Sequence, residues 1–475
     1  MRNFKQHYQL VNEFFDTIEG AVRHIDHLEE GILNKGKQGV KEAIAQIDAS
    51  ISYFLDDSDY KISTKFDGSP AIVAGVDVNG KFFVSTKSFF NTKKERIICY
   101  TAEEINDYFI KKKIENNEKP QPELAEKLRL ALEYLPSLNL TGIYQMDYMF
   151  DNRIKDESTP ATIDGVANEN KFITFRPNPS GIIYAVYPDS PYGQQIIDSK
   201  IGVAIHIEYV VKNGILKVKK YTSSPDEFSP SKTVFLFNTL VDKPKTVKSK
   251  FGTLLLRDVN KKKNTVLKLA DTVDFSGLDN YKTELKTYIN KEVSVGRFLE
   301  NPKLSANEFI DYMTIKLKKE IENVDKEIEA INAKIEKDGE DKRTVNSRTR
   351  KFNKKNDKTE KMNKGIAELK ALKPSIQKAF QITRLIAVLK NNLIKIFNEI
   401  TKNDLLGTYV PKSDEEPNAW MTTVPEGFAL SRVGSSEDES PVITKMIKRV
   451  GDADSPGFSE VNFRRRESGA TNPTT

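Results

Sequence analysis

The tetrapeptide Lys65-Phe66-Asp67-Gly68 constrains this chain most, because it stands between two segments with the character of β-strands. Residues 60–64 alternate polar and apolar side chains, and residues 70–76 form a second, mostly apolar run. We expect the two segments to be paired strands with the lysine in the turn between them. Such a lysine is nucleophilic only where cationic or apolar surroundings lower its pKa. A solvated lysine beside an Asp-Gly turn is the alternative that the tetrapeptide alone leaves open.

Other strand-like segments carry the polar residues that phosphoryl transfer requires. This chemistry needs carboxylates that hold Mg²⁺ and cations that neutralise a triphosphate. The candidates are spread over five further segments, so a common site would have to be assembled by the fold. In chain order they are Ser85-Thr86-Lys87, Asp147, His206, Glu426 and Lys445.

The order of these motifs resembles that of the nucleotidyltransferase superfamily that contains ATP-dependent DNA ligases, RNA ligases and mRNA capping enzymes. The resemblance implies that Lys65 becomes a lysyl-AMP and that Lys87 contacts the nucleotide sugar and the incoming phosphate. It also implies that Lys445 binds the triphosphate. Asp147 and Glu426 would hold the cofactor Mg²⁺, or Mn²⁺.

The same resemblance implies a set of residues that bind ATP. His206 lies on the strand whose aromatic residue usually stacks on the purine, although this chain has Ile205-His206 where an aromatic-acid pair is usual. GTP in place of ATP stays open. The implied nucleotide-binding residues are Ser63, Asp67, Gly68, Ser85, His206 and Lys448.

A second likeness is to a group of uncharacterised tailed-bacteriophage proteins. They share an early His-Leu-Glu sequence, here at residues 27–30, and the same Lys-x-Asp-Gly motif. This likeness covers roughly residues 20–220 and 420–465. It implies the fold and no particular substrate.

Departures from the DNA ligase pattern favour an RNA substrate. DNA ligases usually carry a long polar residue soon after the motif glycine, and Ser69-Pro70 is more similar to RNA ligases. DNA ligases and capping enzymes also append an OB-type barrel, for which the remainder after Arg449 is too short. The resemblance therefore implies an ATP-dependent polynucleotide ligase that joins 5′-phosphate and 3′-hydroxyl ends, of RNA rather than DNA.

Two alternatives to a ligase remain open. One is a scaffold that keeps the fold without catalysis and binds nucleic acid or a phage protein. The other is a nucleotidyltransferase that modifies a protein or an RNA 5′ end.

Composition limits the class of protein. The single cysteine, Cys99, excludes disulfides within the chain and any Cys-rich zinc site. No apolar run is long enough to span a membrane, and the first residues lack the apolar segment of a secretory signal. We therefore expect a cytoplasmic protein, in the host cell if it is phage-encoded, without a membrane partner. The net charge of +6 matters only if the basic residues are clustered.

The basic residues cluster between two long helical patterns. Apolar residues recur at alternating spacings of four and three in 317–335, and a second seam runs through 362–396, which predicts two antiparallel helices. Residues 337–339 are expected to end the first helix, and Pro374 to kink or restart the second. Residues 342–358 are then either a tip that binds nucleic acid or a solvated loop. The candidate nucleic-acid contacts are Arg348, Arg350, Lys351, Lys354 and Lys355.

The N-terminal region is predicted to be helical. Apolar residues recur at helical spacing from Val11 to Leu28 and from Val40 to Ile51. His24 and His27 have no third ligand nearby in the sequence, so we expect structural roles for both rather than a metal site. A short helix is expected at 123–134.

The patterns and the resemblance together imply an α+β protein. Its ligase-type nucleotidyltransferase core would consist of two antiparallel sheets, with N-terminal helices, an inserted helical hairpin and no C-terminal OB barrel. The expected segments are a helical cap (1–56), the first part of the core (57–240), a mostly helical insertion (241–405) with a coiled-coil hairpin at about 306–400, the last part of the core (406–465) and a disordered tail (466–475).

Overall fold

The structure is a computed structural model that separates into two compact units. Unit 1 comprises Met1–Leu28, Ala45–Asp258 and Lys390–Thr475, and unit 2 comprises Glu29–Ile44 and Val259–Leu389. The residues that the structure describes are 17–19, 27–54, 60–91, 96–159, 162–163, 166–178, 182–221, 224–241, 250–339, 342–401, 407–409, 421–422, 425–432 and 442–450.

All of the described strands belong to unit 1. In chain order they are β1 (Thr17–Glu19), β2 (Lys61–Thr64), β3 (Ala71–Val76), β4 (Phe82–Thr86), β5 (Ile98–Cys99), β6 (Ile143–Asp151), β7 (Lys155–Ser158), β8 (Thr162–Ile163), β9 (Val166–Ala167), β10 (Phe172–Phe175), β11 (Ile183–Val186), β12 (Ile201–Lys212), β13 (Ile215–Tyr221), β14 (Val234–Leu236), β15 (Gly407–Tyr409), β16 (Met421–Thr422), β17 (Gly427–Arg432) and β18 (Val442–Ile447).

These strands form three open sheets. The largest has the order β1-β13-β12-β6-β3-β4-β5 with β14 beside β12, the second has the order β7-β10-β11-β15-β16-β8-β9, and the third is β18-β17-β2. Most pairs are antiparallel, whereas β1 with β13, β12 with β14 and β8 with β16 are parallel. The predicted α+β class with antiparallel sheets is confirmed, with three sheets instead of two, and none of the described sheets closes into a barrel.

The described helices include one very long pair. In chain order the α-helices are α1 (Gly31–Phe54), α2 (Ala102–Asn106), α3 (Lys112–Glu115), α4 (Pro122–Tyr134), α5 (Pro191–Asp198), α6 (Lys250–Ala270), α7 (Phe275–Leu278), α8 (Lys282–Ser294), α9 (Pro302–Asp338) and α10 (Lys342–Thr401). A π-helix spans Asp107–Lys111, and short 3₁₀ segments lie at Leu28–Glu30, Lys87–Phe90, Leu135–Leu138, Pro225–Glu227 and Asp279–Tyr281.

The largest sheet is covered on both faces, which makes it a rigid platform. On one face, Ile72 and Met146 pack with Ala125, Leu128 and Ala131 of α4. These helix residues recur every three positions, so they form the buried stripe of an amphipathic helix. The opposite face is a second apolar cluster that includes residues of β3, β4, β6, β12 and β13. The predicted helix at 123–134 is confirmed, and it begins with a proline, which the first turn tolerates.

The predicted helical hairpin is confirmed in unit 2. Lys351, Lys355 and Lys358 of α10 pair with acidic residues of α9 at progressively earlier positions, as in an antiparallel pair. Helix α9 ends at Asp338, and Gly339, with φ of +85°, caps it. Helix α10 continues through Pro374 without ending, so the helix does not restart there, and the alternative of a kink at Pro374 stays a prediction.

The expectation of a basic loop between the two helices is also wrong. The described part of 342–358 is the first section of α10. Lysine and arginine are good helix formers, and three lysines of this section form ion pairs with acidic residues of α9.

The N-terminal region is helical only in part. The predicted helix around Val40–Ile51 is confirmed within α1. Ile18, expected on another helix, lies instead in β1, which pairs in parallel with β13. The other residues of that expected helix before His27, and the expected tail at 466–475, lie outside the described residues. Among the helices of the described residues, none combines the length and apolar character that a bilayer-spanning helix requires.

Candidate active site

Lys65 lies where the chain passes from the three-stranded sheet into the largest sheet. Strand β2 pairs with β17, whereas β3 pairs with β4 and β6. The backbone N–H of Lys65 continues the first pairing and donates to the carbonyl of Gly427 at 2.8 Å. The expected turn between two paired strands is therefore wrong. Alternation identifies strands but not their partners, and these two strands belong to different sheets.

Gly68 brings the crossing segment against the largest sheet. A Cβ atom at this position would lie 2.6 Å from the Cβ of Asp147 and 2.8 Å from the carbonyl oxygen of Tyr148. The next N–H, of Ser69, donates to that same carbonyl at 2.9 Å. Only glycine permits this approach, so the motif glycine sets the distance between Lys65 and the strand that carries Asp147.

The ammonium group of Lys65 is held by two carboxylates. Its Nζ lies 2.9 Å from both Oε1 and Oε2 of Glu426, and 3.4 Å from Oδ1 of Asp67. Glu426 immediately precedes β17, and its side chain is only 3% exposed. The fold thus joins two residues that are 361 positions apart in the chain.

These surroundings raise the pKa of Lys65. Burial lowers it, but the negative charges of Asp67 and Glu426, the hydrogen bonds to Glu426 and the charge of Asp147 outweigh burial. The expectation that cationic or apolar surroundings lower the pKa of Lys65 therefore does not hold in this structure. The carboxylates that phosphoryl transfer requires are the same groups that stabilise the protonated lysine.

The pKa of Glu426 is shifted towards neutrality. Burial raises it to about 7, although the positive charges of Lys65 and Lys445 oppose the shift, and the charge of Asp67 adds to it. A carboxylate with such a pKa can accept a proton near neutral pH.

Asp147 and His206 meet on neighbouring strands of the largest sheet. Asp147 pairs with Ala204 of β12 and with Ala71 of β3. Gln145 and Met146 are consecutive, but their partners on β12 are Ile207 and Ile205, so His206 is an extra residue in a bulge. Bulges redirect side chains. His206 Nε2 lies 3.2 Å from Asp147 Oδ2.

Tyr184 links the tetrapeptide to the remaining sheet. The N–H of Asp67 donates to the Tyr184 hydroxyl oxygen at 2.7 Å. Tyr184 belongs to β11 and is buried, and burial together with the charges of Glu426 and Asp67 raises its pKa well above the usual value. All three sheets therefore contribute a residue next to Lys65.

A group of cations surrounds His27 beside Lys65. His27 forms an isolated parallel bridge with Lys445 of β18 and is buried. Burial and the positive charges of Lys390, Arg449, Lys445 and Lys65 lower its pKa well below the usual value. Lys390 is completely buried. His27 is therefore neutral at physiological pH and lies among positive charges.

The other predicted residues occupy several environments. Ser63 is buried opposite Ala429, and Lys448 is buried just after β18. Ser85 is buried and its hydroxyl donates to the carbonyl of Ile97, so its hydroxyl has a backbone partner. Lys87 is exposed at the end of β4.

Lys87 lies at the same end of the sheet as Asp147. It follows Thr86, which pairs with Ile72, and the residue before Ile72, Ala71, pairs with Asp147. The register thus places Lys87 level with Ala71 and Asp147 in the sheet. Its exposed side chain is not part of the ion-paired group around Lys65.

The carboxylates fit the chemistry of Mg²⁺. Asp67, Asp147 and Glu426 offer oxygen ligands around one lysine. Among the described residues there is no group of three or more His, Cys, Asp or Glu side chains that could hold a metal ion. Mg²⁺ typically binds one or two carboxylates, several waters and the phosphates of the substrate. A site for Mg²⁺ therefore does not need a full set of protein ligands.

Sequence reasoning missed three residues of this region. Tyr184 lies in an ordinary apolar strand pattern and gave no signal. His27 was interpreted as structural because it lacks metal-ligand spacing. Lys390 follows Leu389 in the apolar seam of α10, and the available clue was a lysine within an apolar segment. The structure buries this lysine completely.

One comparison with known proteins gave a match. A family model described as "Family of unknown function (DUF6267)" matches residues 22–354, which is more than half of the chain. No curated protein and no solved structure matches.

Proposed function

The chain belongs to a family of unknown function, DUF6267, and we propose that it is an ATP-dependent nucleotidyltransferase that forms a lysyl-AMP at Lys65. The observation that carries this proposal is the environment of the Lys65 amine. Its Nζ lies 2.9 Å from both oxygens of Glu426, and the charges of Asp67 and Asp147 also act on it. A lysine among carboxylates, beside a group of cations, is the set of groups that attack on a nucleoside triphosphate requires.

In the first step Lys65 Nζ would attack the α-phosphorus of ATP. The N–P bond forms, the bond from the α-phosphorus to the bridging oxygen breaks, and pyrophosphate leaves. The lysine loses its proton to Glu426, whose pKa of about 7 suits that role near neutral pH. Lys445 would stabilise the negative charge that develops on the phosphates.

Bound Mg²⁺ would neutralise charge on the triphosphate and on the carboxylates around Lys65. The residues present suit such an ion through the oxygens of Asp147 and Asp67, while Glu426 accepts the proton of Lys65. Once their charges are offset, the influence that raises the pKa of Lys65 is weakened, and burial, which lowers it, gains weight.

In the complete reaction an oxygen of a polynucleotide 5′-phosphate would attack the phosphorus of the lysyl-AMP. The N–P bond breaks, a phosphoanhydride bond between AMP and the 5′-phosphate forms, and the lysine amine takes back its proton. A 3′-hydroxyl then attacks that phosphate, the new phosphodiester bond forms and AMP leaves. The resemblance at Ser69-Pro70 favours RNA as the strand that is joined. This makes the protein an ATP-dependent polynucleotide ligase.

A second candidate is an inactive scaffold with the same fold. The observation in its favour is the raised pKa of Lys65 together with the close contacts to both oxygens of Glu426. In a scaffold this would be a structural buried ion pair, whose lysine never loses its proton.

Intact mass after incubation with ATP and Mg²⁺ tests the first step. We expect the wild-type protein to gain one adenylate, and Lys65→Arg to gain none because a guanidinium is not a competent nucleophile. Lys61→Arg, at an exposed position of β2 four residues before Lys65, is the matched control and should be labelled normally. A wild-type protein that stays unlabelled with ATP or GTP, and with Mg²⁺ or Mn²⁺, would refute the nucleotidyltransferase and favour the scaffold.

The substrate is tested in a second assay with adenylylated protein. Nicked duplexes with a 5′-phosphate are supplied with RNA or DNA on the strand to be sealed. We expect sealing of the RNA strand to be faster. Adenylylation without sealing of either strand would exclude a ligase and leave transfer to a protein or to an RNA 5′ end.

A further inference from the structure

Unit 2 carries a row of exposed cations along one side of helix α10. Arg350, Lys354, Lys361 and Lys364 have exposed side chains. With 3.6 residues per turn and a rise of 1.5 Å per residue, they fall within a sector of about 80° and extend over about 21 Å. Asp357 is an acidic residue in the same sector. We call the four cations the cationic flank.

The neighbouring lysines on the same helix have a different role. Lys351, Lys355 and Lys358 pair with carboxylates of α9, with Nζ–O distances of 2.6 Å for Lys355 and 3.2 Å for Lys358. The paired lysines mark the side of α10 that faces α9. The cationic flank occupies the neighbouring side of the same helix. The set expected from the sequence mixed the two kinds, because Arg350 and Lys354 belong to the flank whereas Lys351 and Lys355 belong to the pairs.

We propose that the cationic flank binds the phosphodiester backbone of a polynucleotide. The proposal rests on the proposed function, because it names the surface that would hold the strand to be joined. A straight row of cations matches a polymer whose charge repeats along a line. At about 3.4 Å per phosphate along one strand of a duplex, the row would run beside about six phosphates.

The flank offers backbone contacts without base stacking. Phe352, the exposed aromatic residue of this stretch, lies on the opposite side of the helix. Single-strand binding modules that rely on stacking place aromatic side chains along the strand. Binding by the flank would therefore come from the release of counterions, and it would be independent of sequence and strongly dependent on salt.

Two matched triple variants of the 475-residue chain test this proposal. Arg350→Gln, Lys354→Gln and Lys361→Gln remove three charges from the flank, and Lys351→Gln, Lys355→Gln and Lys358→Gln remove three charges from the ion pairs. Both sets lie within the same few turns of α10. Binding is measured without ATP over a series of salt concentrations, to a 5′-phosphorylated single-stranded RNA and to a DNA duplex of the same length.

We expect the affinity for nucleic acid to depend less strongly on salt in the flank variant only. Because each of its three substitutions removes a cation that neutralises one phosphate, the slope of log affinity against log salt should decrease by about 2 for the single strand and by about 3 for the duplex. The flank variant should lose more affinity for one of the two ligands, the single-stranded RNA or the DNA duplex. That ligand is the form of nucleic acid that the flank binds. The ion-pair variant should keep the wild-type slope and melt at a slightly lower temperature.

Two results would overturn the proposal. An unchanged slope in the flank variant would show that the flank does not contact the phosphates of the polynucleotide. Equal losses in both variants would show that only net charge matters. Adenylylation of the same preparations is measured by intact mass, so an unlabelled wild-type protein whose binding still depends on the flank would refute the proposed function and not this inference.

Discussion

The two units use the same types of charged residue in opposite ways. In unit 1, Lys65 and Glu426 come from distant parts of the chain, and burial together with near neighbours shifts the pKa of both. In unit 2, Lys355 and Lys358 meet acidic residues of the adjacent helix at the surface, where such pairs contribute little to stability. The charges of unit 1 differ because they are buried beside one another, where burial and neighbouring charges both act strongly on the pKa.

The largest expected effect comes from neutralising the buried carboxylates. Glu426→Gln and Asp147→Asn should each slow adenylylation by roughly 10²- to 10⁴-fold, since several kcal/mol of transition-state stabilisation are lost. The measurement is the initial rate of label incorporation from radioactive ATP. Glu327→Gln is the control in unit 2, where the carboxylate pairs with Lys351 at the surface, and it should leave the rate unchanged.

Circular dichroism should be nearly the same for these variants. If both Glu426→Gln and Asp147→Asn adenylylate at the wild-type rate, neither Glu426 nor Asp147 takes part in the reaction. The buried charges of unit 1 would then have no more chemical role than the surface ion pairs of unit 2.

A pair of glycine substitutions sharpens the comparison at the level of the backbone. Gly68→Ala places a Cβ atom 2.6 Å from the Cβ of Asp147, so the crossing segment must shift and adenylylation should fall by roughly tenfold or more. Gly365→Ala on α10 meets only Leu317, at 3.9 Å, and should stabilise the helix by up to about 1 kcal/mol. Label incorporation and thermal melting are measured for both. Equal rates for the two variants would contradict the close approach at Gly68.

The pH dependence of adenylylation tests the role of Glu426. The pKa of Glu426 is raised to about 7, so below that pH the site holds an extra proton and the rate should fall about tenfold per pH unit. Above pH 7 the rate should level off if Glu426 accepts the proton of Lys65, because the total number of protons in the pair is then unchanged. Glu426→Gln should remove the inflection.

A different profile would redirect the interpretation. A rate that continues to rise far above pH 7 would show that Lys65 loses its proton to solvent, as its raised pKa demands in the absence of a local base. The profile is measured at constant ionic strength with excess ATP, so that binding does not limit the rate.

The smallest expected effect on adenylylation comes from the core of the hairpin. Leu369 is completely buried in unit 2, and Leu369→Ala should destabilise that unit by about 2–5 kcal/mol. The rate of adenylylation should stay within about twofold of the wild type, because Lys65 and its partners belong to unit 1. Melting followed by circular dichroism, beside label incorporation, checks both statements. A large loss of label would show that the site depends on unit 2.

Much of the local structure could be predicted from periodicity. Alternation located the strands around residues 61–64, 71–76, 143–151 and 201–212, and the spacing of apolar residues located α9 and α10. The errors concern partners and environment. Nothing local distinguishes a hairpin from a crossing between sheets, which is why Lys65 was expected in a turn. The basic section of α10 was expected to be a loop because its ion pairs with α9 are not visible in the sequence.

Only those residues of the site that belong to recognisable motifs could be predicted from the sequence. Glu426 and Asp67 were expected near Lys65, and the structure brings them into contact with it. His27 and Tyr184 were not expected there, because burial and the charges of distant segments determine their behaviour. The activity itself stays a prediction.

The distance in sequence between Lys65 and Glu426 has a consequence for the newly made chain. The 361 positions that separate them take about 18–72 s to synthesise at 5–20 residues per second. During that time β2 has no β17 to pair with, and the lysine has only Asp67 beside it in the chain. Lys65 is therefore made early, and the last strands must be synthesised before its amine acquires the contact with Glu426.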